Sequence, residues 1–173
     1  MKIGLFYGST TCYTEMAAEK IQQQFSENVT NKPALTVELF NIKDTPLNKI
    51  DDFELVIMGI STWEGHWEDI ATLNLSGKII ALYGMGDQIG YTEWFQDALG
   101  MLHEQVVAQE GFVIGYWPNQ GYEFEASKAL TEDNSQFVGL SLDEDNQYEQ
   151  SDERIAQWCQ QIHSEIAEII ESE

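Results

Sequence analysis

Apolar residues form four nearly continuous runs along the chain, at positions 3–7, 55–60, 79–83 and 112–116. Strands with this pattern are buried on both faces, which is typical of a parallel sheet that helices cover on each side. A further segment, 35–39, alternates apolar and polar residues. We therefore predict that this second strand lies at an edge of the sheet.

Three other segments repeat apolar residues at helical spacing, which predicts helices with one apolar face. They are residues 17–25, 95–106 and 155–169. We expect Gly111 to end the second helix. Ser151 precedes two acidic residues, and we expect it to cap the start of the last helix.

The alternation of strands and helices predicts an α/β fold, a doubly wound five-stranded parallel sheet in the order 2-1-3-4-5. We expect residues 1–173 to form a single domain. Sheets of this kind bind ligands beyond the carboxyl ends of their strands, at the point between strands one and three where the order reverses. The loops 8–14, 61–67 and 84–91 would meet at this point.

The first of these loops has the features of a phosphate site. It leads from a strand into a helix, whose free backbone N–H groups and dipole attract an anion even without a cation nearby. Side-chain hydroxyls add four more donors, which are Ser9, Thr10, Thr11 and Thr14. A nucleoside triphosphatase would need a lysine here, but the loop has Cys12 and Tyr13 instead, so the sequence argues against that activity.

The other two loops each contain an aromatic residue, Trp63 and Tyr91. A single loop aromatic more often covers the end of a sheet than binds a ligand. Two of them beside a phosphate site can instead hold a flat ring between them, and Asp87 could accept a hydrogen bond from a ring N–H. A ring at one end and a phosphate at the other predict a mononucleotide ligand.

The amino-acid composition limits the classes of molecule that the protein is expected to bind. The 173 residues include 30 acidic and 8 basic ones, a net charge of −22, with Arg154 as the one arginine. This charge argues against nucleic acid and favours attraction of a basic protein. Two cysteines, Cys12 and Cys159, and the lack of a long apolar run predict a reduced, cytoplasmic setting. Because like charges repel, we also expect a monomer.

Motifs for several other activities are missing from the sequence. The glycines at 84, 86 and 90 miss the spacing of a dinucleotide site by one residue. The three histidines form no pair with metal-ligand spacing. No GxSxG motif marks a hydrolase nucleophile.

Several longer motifs resemble those of one family. They are GSTTCYTE at 8–15, Thr62-Trp63, GDQIGY at 86–91, DALG at 97–100, and WPNQGYEF with FVGLSLDEDNQ in the last third. Together they resemble a long-chain flavodoxin, and DERIAQWCQQI at 152–162 is most similar to the bacterial B-type flavodoxins. The resemblance implies a flavodoxin-like fold whose last strand is interrupted by a long insertion, here residues 117–147. It also implies flavin mononucleotide (FMN) as cofactor and a low-potential one-electron carrier that cycles between semiquinone and hydroquinone.

The resemblance implies a role for particular residues. The phosphate would be held by Ser9, Thr10, Thr11, Cys12, Tyr13 and Thr14. The isoalloxazine ring would be contacted from the other two loops by Ser61, Thr62, Trp63, Glu64, Gly65, Gly86, Asp87 and Tyr91. In this arrangement Trp63 and Tyr91 flank the ring, Asp87 meets its pyrimidine edge, and the Glu64–Gly65 peptide lies beside flavin N5. The implied partners are basic redox proteins, a flavodoxin/ferredoxin reductase-type donor and an acceptor enzyme.

The chain departs from the family pattern in two places. Cys12 and Tyr13 replace a glycine and a small or basic residue, and Ser61 stands where a proline is usual. The connection 62–77 is also short, which leaves room for about two helical turns. These altered loops keep open a flavin-free binding module on the same fold. A second alternative is a flavin-dependent quinone or nitro reductase, but Trp63 and Tyr91 over both faces of the ring would block hydride transfer and so favour the carrier.

Overall fold

A computed structural model describes residues 1–8, 12–27, 35–61 and 67–173. Its main sheet is parallel and has the order β2-β1-β3-β4-β5, so the predicted topology is confirmed. The strands of this path are β1 (Lys2–Gly8), β2 (Thr36–Asn41), β3 (Leu55–Ile60), β4 (Ile79–Met85) and β5 (Phe112–Ile114). All six residues of β3 are buried, as its unbroken apolar run predicts.

Two separate segments share the last position of the sheet. Strand β5 pairs with the first half of β4, and β8 (Leu140–Leu142) pairs with its second half, again in parallel. The chain between them contains a two-stranded antiparallel pair, β6 (Trp117–Pro118) with β7 (Gln136–Phe137). An insertion in the last strand is thereby confirmed, but it ends before Leu140 and not at residue 147, because residues 140–142 pair with β4 and the last helix begins at Glu144.

An aromatic cluster anchors the insertion. Phe137 is fully buried, and its ring lies 5.1 Å from that of Tyr122, 5.7 Å from that of Phe124 and 5.8 Å from that of Phe95. Such edge-on and tilted contacts bury large apolar surfaces at low entropic cost. The aromatic residues of the insertion therefore pack, and they hold the segment against the residues before the second helix.

Helices cover both faces of the sheet. Helices α1 (Cys12–Glu27) and α3 (Glu144–Ser172) pack against each other. Tyr83 of β4 contacts α1, whereas the next residue, Gly84, contacts α2 (Asp97–Ala108). Because successive strand residues point to opposite faces, α1 and α2 lie on opposite sides of the sheet. Within the described residues, no helix is long and apolar enough to cross a membrane.

Two predicted helix ends are wrong. Ser151 lies inside α3, and the helix is capped by Asp143, whose side chain accepts a hydrogen bond from the backbone N–H of Asn146. The backbone leaves helical geometry at Gln147 (φ −136°, ψ 33°), so a short first turn is followed by a bend. The second helix ends at Ala108, and it is Glu110 rather than Gly111 that adopts a positive φ, 67°.

The connection from β3 to β4 is as short as the sequence predicts. Its only helix in the described part is a 3₁₀ helix of five residues, Glu68–Thr72. Trp67 precedes it, is fully buried, and donates a 3.3 Å hydrogen bond from Nε1 to the carbonyl oxygen of Gly59. The indole of Trp67 therefore packs against β3 within this short connection.

Candidate functional site

The carboxyl ends of β1, β3 and β4 lie side by side. Gly8 is in register with Ile60, and Ile60 with Gly84, so the three following loops leave the sheet at the same edge. Seven predicted site residues lie outside the described residues: Ser9, Thr10, Thr11, Thr62, Trp63, Glu64 and Gly65. The other seven are described, and all of them belong to segments that leave this edge.

Two buried hydroxyls flank the parts of the first two loops that are not described. Thr14 is fully buried in the first turn of α1, and Ser61 directly follows β3. Neither Thr14 Oγ1 nor Ser61 Oγ has a hydrogen-bond partner in the structure's described residues. A buried hydroxyl without a partner costs about 1–3 kcal/mol. Both positions therefore fit a bound group with several oxygen acceptors, as a phosphate has.

In contrast to these two buried hydroxyls, the first two residues of α1 are exposed to solvent. Cys12 and Tyr13 are exposed, and the first turn contains no lysine or arginine. Glu15 is the acid of this turn, and its Oε1 accepts a 3.0 Å hydrogen bond from the Tyr7 hydroxyl. Burial and the nearby Glu15 carboxylate raise the pKa of Tyr7 to about 12. Anion binding here would therefore depend on backbone N–H groups and hydroxyls.

The third loop is built around the Asp87 carboxylate. Its Oδ1 accepts hydrogen bonds from the backbone N–H groups of Ile89 (3.1 Å) and Gly90 (2.7 Å), and its carbonyl oxygen accepts one from Tyr91 N–H. The bond from Gly90 is the main cause that lowers the pKa of Asp87. A side chain at position 90 would collide with this carboxylate, which explains the glycine there. Since Oδ1 of Asp87 is used inside the turn, the loop presents a preformed shape to a ligand.

Residues at the start of α3 hold this turn in place. Asp143 is fully buried and its Oδ2 accepts two hydrogen bonds from Gln88, 3.0 Å from the backbone N–H and 2.8 Å from Nε2. Asn146 donates from Nδ2 to Oδ1 of Asp87 at 2.8 Å, and also to both oxygens of Asp143. We refer to Asp87, Gln88, Asp143 and Asn146 as the α3 clamp.

The α3 clamp concentrates negative charge near the candidate ligand edge. Burial and the carboxylates of Asp87 and Asp143 raise the pKa of Asp145. The Asn146 amide lies between Asp87 and Asp143 and donates to both, which offsets part of their repulsion. Of the four clamp residues, the sequence analysis assigned only Asp87 to the site. The signal was present in Asp143 and Asn146, which have the spacing of a helix cap.

The loop is also tied to the insertion. Gln88 Oε1 accepts a 2.6 Å hydrogen bond from the backbone N–H of Glu123. Gln96 is buried with a left-handed backbone (φ 61°) and donates to the carbonyl oxygens of Gly84 and Leu142. Gly84 and Leu142 belong to the two strands that end here, β4 and β8. The edge of the site is thus braced from β4, β8, α3 and the insertion.

Tyr91 does not cover the end of the sheet. Its side chain is 62% exposed, as is that of Trp94 three residues later, and Ile89 is 68% exposed. These side chains present apolar surface next to the turn around Asp87. Tyr91 is therefore available to a ligand or a partner, which is what the ring-binding interpretation needs and the packing interpretation does not. Trp94 is a further exposed aromatic that the sequence analysis did not single out.

Comparison with known proteins gives one consistent result. The family model described as "Flavodoxin" matches residues 5–158. Flavodoxin 2 of Salmonella typhi is 50% identical over 177 residues, which cover 97% of this chain and 98% of that protein. A flavodoxin of Nostoc sp. is 40% identical over 174 residues, 95% of this chain and 97% of that one.

A solved structure agrees with these relatives. The crystal structure of Fusobacterium nucleatum flavodoxin bound to flavin mononucleotide has a TM-score of 0.81 and 26% sequence identity, over 95% of this chain and 98% of that one. A mutant of the same flavodoxin, also bound to flavin mononucleotide, has a TM-score of 0.83 and 28% identity, over 95% of this chain and 96% of that one. The family model over most of the chain and the relatives of 40–50% identity show that this chain belongs to the flavodoxin family.

Proposed function

We propose that this protein binds FMN at the carboxyl edge of its sheet and carries electrons singly between redox proteins. The observation that carries the proposal is the pair of buried, unpartnered hydroxyls of Thr14 and Ser61 among the described residues, which lie in the first turn of α1 and directly after β3. Family membership supports it, since a relative of 26% identity is described as bound to flavin mononucleotide. Bound FMN supplies the redox centre, and the protein contributes its binding and electrostatic surroundings.

Different residues would contact the phosphate and the ring of the cofactor. Backbone N–H groups and hydroxyls of residues 9–14 would bind the phosphate, with Cys12 and Tyr13 contributing mainly their backbone. Thr62, Trp63, Glu64 and Gly65 would contact the ring from the β3 loop. Gly86, Asp87 and Tyr91 would contact it from the β4 loop, where the exposed Tyr91 ring offers a stacking surface.

The charge of the chain fits a carrier of low potential. Adding an electron to a flavin creates or strengthens negative charge, and the net charge of −22 makes that unfavourable. The same charge attracts basic proteins over distances of about 10 Å at moderate salt. We therefore propose basic redox partners, a flavodoxin/ferredoxin reductase-type donor and an acceptor enzyme, and a cytoplasmic monomer that forms brief complexes with them.

A flavin titration tests the cofactor. Flavin-free protein is mixed with FMN, and the loss of flavin fluorescence gives the dissociation constant. We expect submicromolar binding of FMN and weaker binding of riboflavin, which lacks the phosphate. A wild-type chain that leaves the fluorescence of both flavins unchanged contradicts the proposal.

A further inference from the structure

A buried tyrosine hydroxyl links the middle of the sheet to the first turn of α1. Tyr83 of β4 is fully buried, and its hydroxyl donates a 2.9 Å hydrogen bond to the carbonyl oxygen of Thr14. The two residues are 69 positions apart in sequence. The contact therefore fixes where the start of α1 lies relative to the sheet.

The neighbouring strand is shaped to let this ring through. Gly59 of β3 is in register with Tyr83, and a side chain on Gly59 would collide with the tyrosine ring and its hydroxyl. Because residue 59 is a glycine, the Tyr83 ring lies across β3 and its hydroxyl reaches α1 on the same face of the sheet. Ser61, two residues after Gly59, would lie on the same face by the alternation of an extended chain.

The hydrogen bond from Tyr83 is made to Thr14, the residue whose side-chain hydroxyl has no partner among the described residues. The Thr14 carbonyl accepts from Tyr83, while Thr14 Oγ1 is buried and unpartnered among the described residues. Holding the carbonyl restricts how far the first turn of α1 can shift or rotate. Burial raises the pKa of Tyr83 well above its ordinary value of 10.0, so the hydroxyl remains a donor at neutral pH.

We propose that Tyr83 is a positioning residue for the cofactor phosphate, which holds the Thr14 hydroxyl and the first N–H groups of α1 where the phosphate binds. This inference rests on the proposed function, since it needs FMN as the ligand. It concerns a residue in the centre of the sheet that none of the site predictions includes. Its action would be indirect, because the Tyr83 hydroxyl bonds to the backbone of α1.

The test compares FMN with riboflavin in the variant Tyr83→Phe, which keeps the ring and removes only the hydroxyl. We expect the dissociation constant of FMN to rise about tenfold, the size of one lost hydrogen bond in a buried setting. The constant of riboflavin should stay within about twofold, since it has no phosphate to be misplaced. Tyr116→Phe is the matched control, because it removes a tyrosine hydroxyl that contacts His103 Nε2 of α2 on the other side of the sheet.

The outcomes separate the two claims. A wild-type chain that binds neither flavin contradicts the proposed function itself. A wild-type chain that binds FMN, with Tyr83→Phe unchanged or with both flavins weakened equally, overturns only the role of Tyr83. If the flavin-free variant does not fold, thermal unfolding at saturating FMN and at saturating riboflavin replaces the titration. The extra stabilisation by FMN over riboflavin should then be smaller in Tyr83→Phe than in the wild type.

Discussion

The side-chain amide of Asn146 donates a 2.8 Å hydrogen bond to the carboxylate of Asp87, 59 residues earlier in the sequence. Asn146 lies in the first turn of α3, and Asp87 organises the turn that follows β4. The last helix of the chain therefore supports the loop expected to meet the flavin ring. The shape of this loop therefore depends in part on a segment that is not expected to contact the cofactor.

Replacing Asn146 with alanine should loosen the turn around Asp87. The change removes the bonds to Asp87 and Asp143, and we expect a loss of about 1–2 kcal/mol in the free energy of unfolding. FMN affinity should fall with it, because the loop loses its fixed shape. Urea unfolding and flavin titration measure the two effects.

The control for this prediction is Asn119→Ala. Asn119 also donates a side-chain hydrogen bond, to the carbonyl oxygen of Asn134, but it does so at an exposed position of the insertion. We expect its FMN affinity to match that of the wild type. Equal FMN affinity in Asn146→Ala and the wild type would contradict the clamp.

The charge state of Asp87 gives a prediction about pH. Backbone hydrogen bonds lower its pKa from 3.8, so its ionised form stabilises the folded protein. This stabilisation is complete above the unfolded value of 3.8 and is lost as the pH falls through the lower folded value. Carboxyl carbon shifts followed by NMR should give a pKa for Asp87 below 3.8.

Removing Asn146 should move this titration. The Asn146 amide is one of the donors that lower the pKa of Asp87, so the pKa should rise toward 3.8 in Asn146→Ala. An Asp87 pKa that is at or above its ordinary value in the wild type, or insensitive to Asn146, would show that the carboxylate is not held as described.

Trp67 anchors the short connection between β3 and β4 to the core. It is fully buried and bonded to the carbonyl oxygen of Gly59, so Trp67→Phe should cost about 2 kcal/mol of stability from lost volume and a lost donor. Trp94→Phe, at a side chain that is 62% exposed, should change stability by less than about 0.5 kcal/mol. Urea unfolding followed by circular dichroism compares the two. Equal costs would mean that Trp67 does not support β3.

The acidic surface should make partner binding sensitive to salt. Electron transfer from a basic flavodoxin/ferredoxin reductase should slow steadily as NaCl rises from about 0.01 to 0.5 M, because salt screens exposed charges. Stopped-flow measurement of flavin reduction gives the rate. A rate that is constant or rises across this range would argue against electrostatic attraction to a basic partner.

The sheet could be predicted from sequence because its signal is local. Each buried strand is an unbroken apolar run, and strand order follows from general rules of α/β folds. The start of α3 could not be predicted from sequence, because Ser151 also has the local features of a helix cap. Asp143 is the actual cap, and its buried carboxylate accepts a hydrogen bond from Gln88, 55 residues away. The same holds for Tyr83, whose apolar run predicts a strand but not a hydroxyl that reaches α1.

The central claim is that this chain carries electrons singly on bound FMN, and a reductive titration tests it most directly. Protein loaded with FMN is reduced stepwise without oxygen while its visible absorption spectrum is recorded. We expect two separate one-electron steps, with a one-electron-reduced flavin accumulating between them. A single two-electron step with no such species, or a chain that does not retain FMN, would contradict the claim.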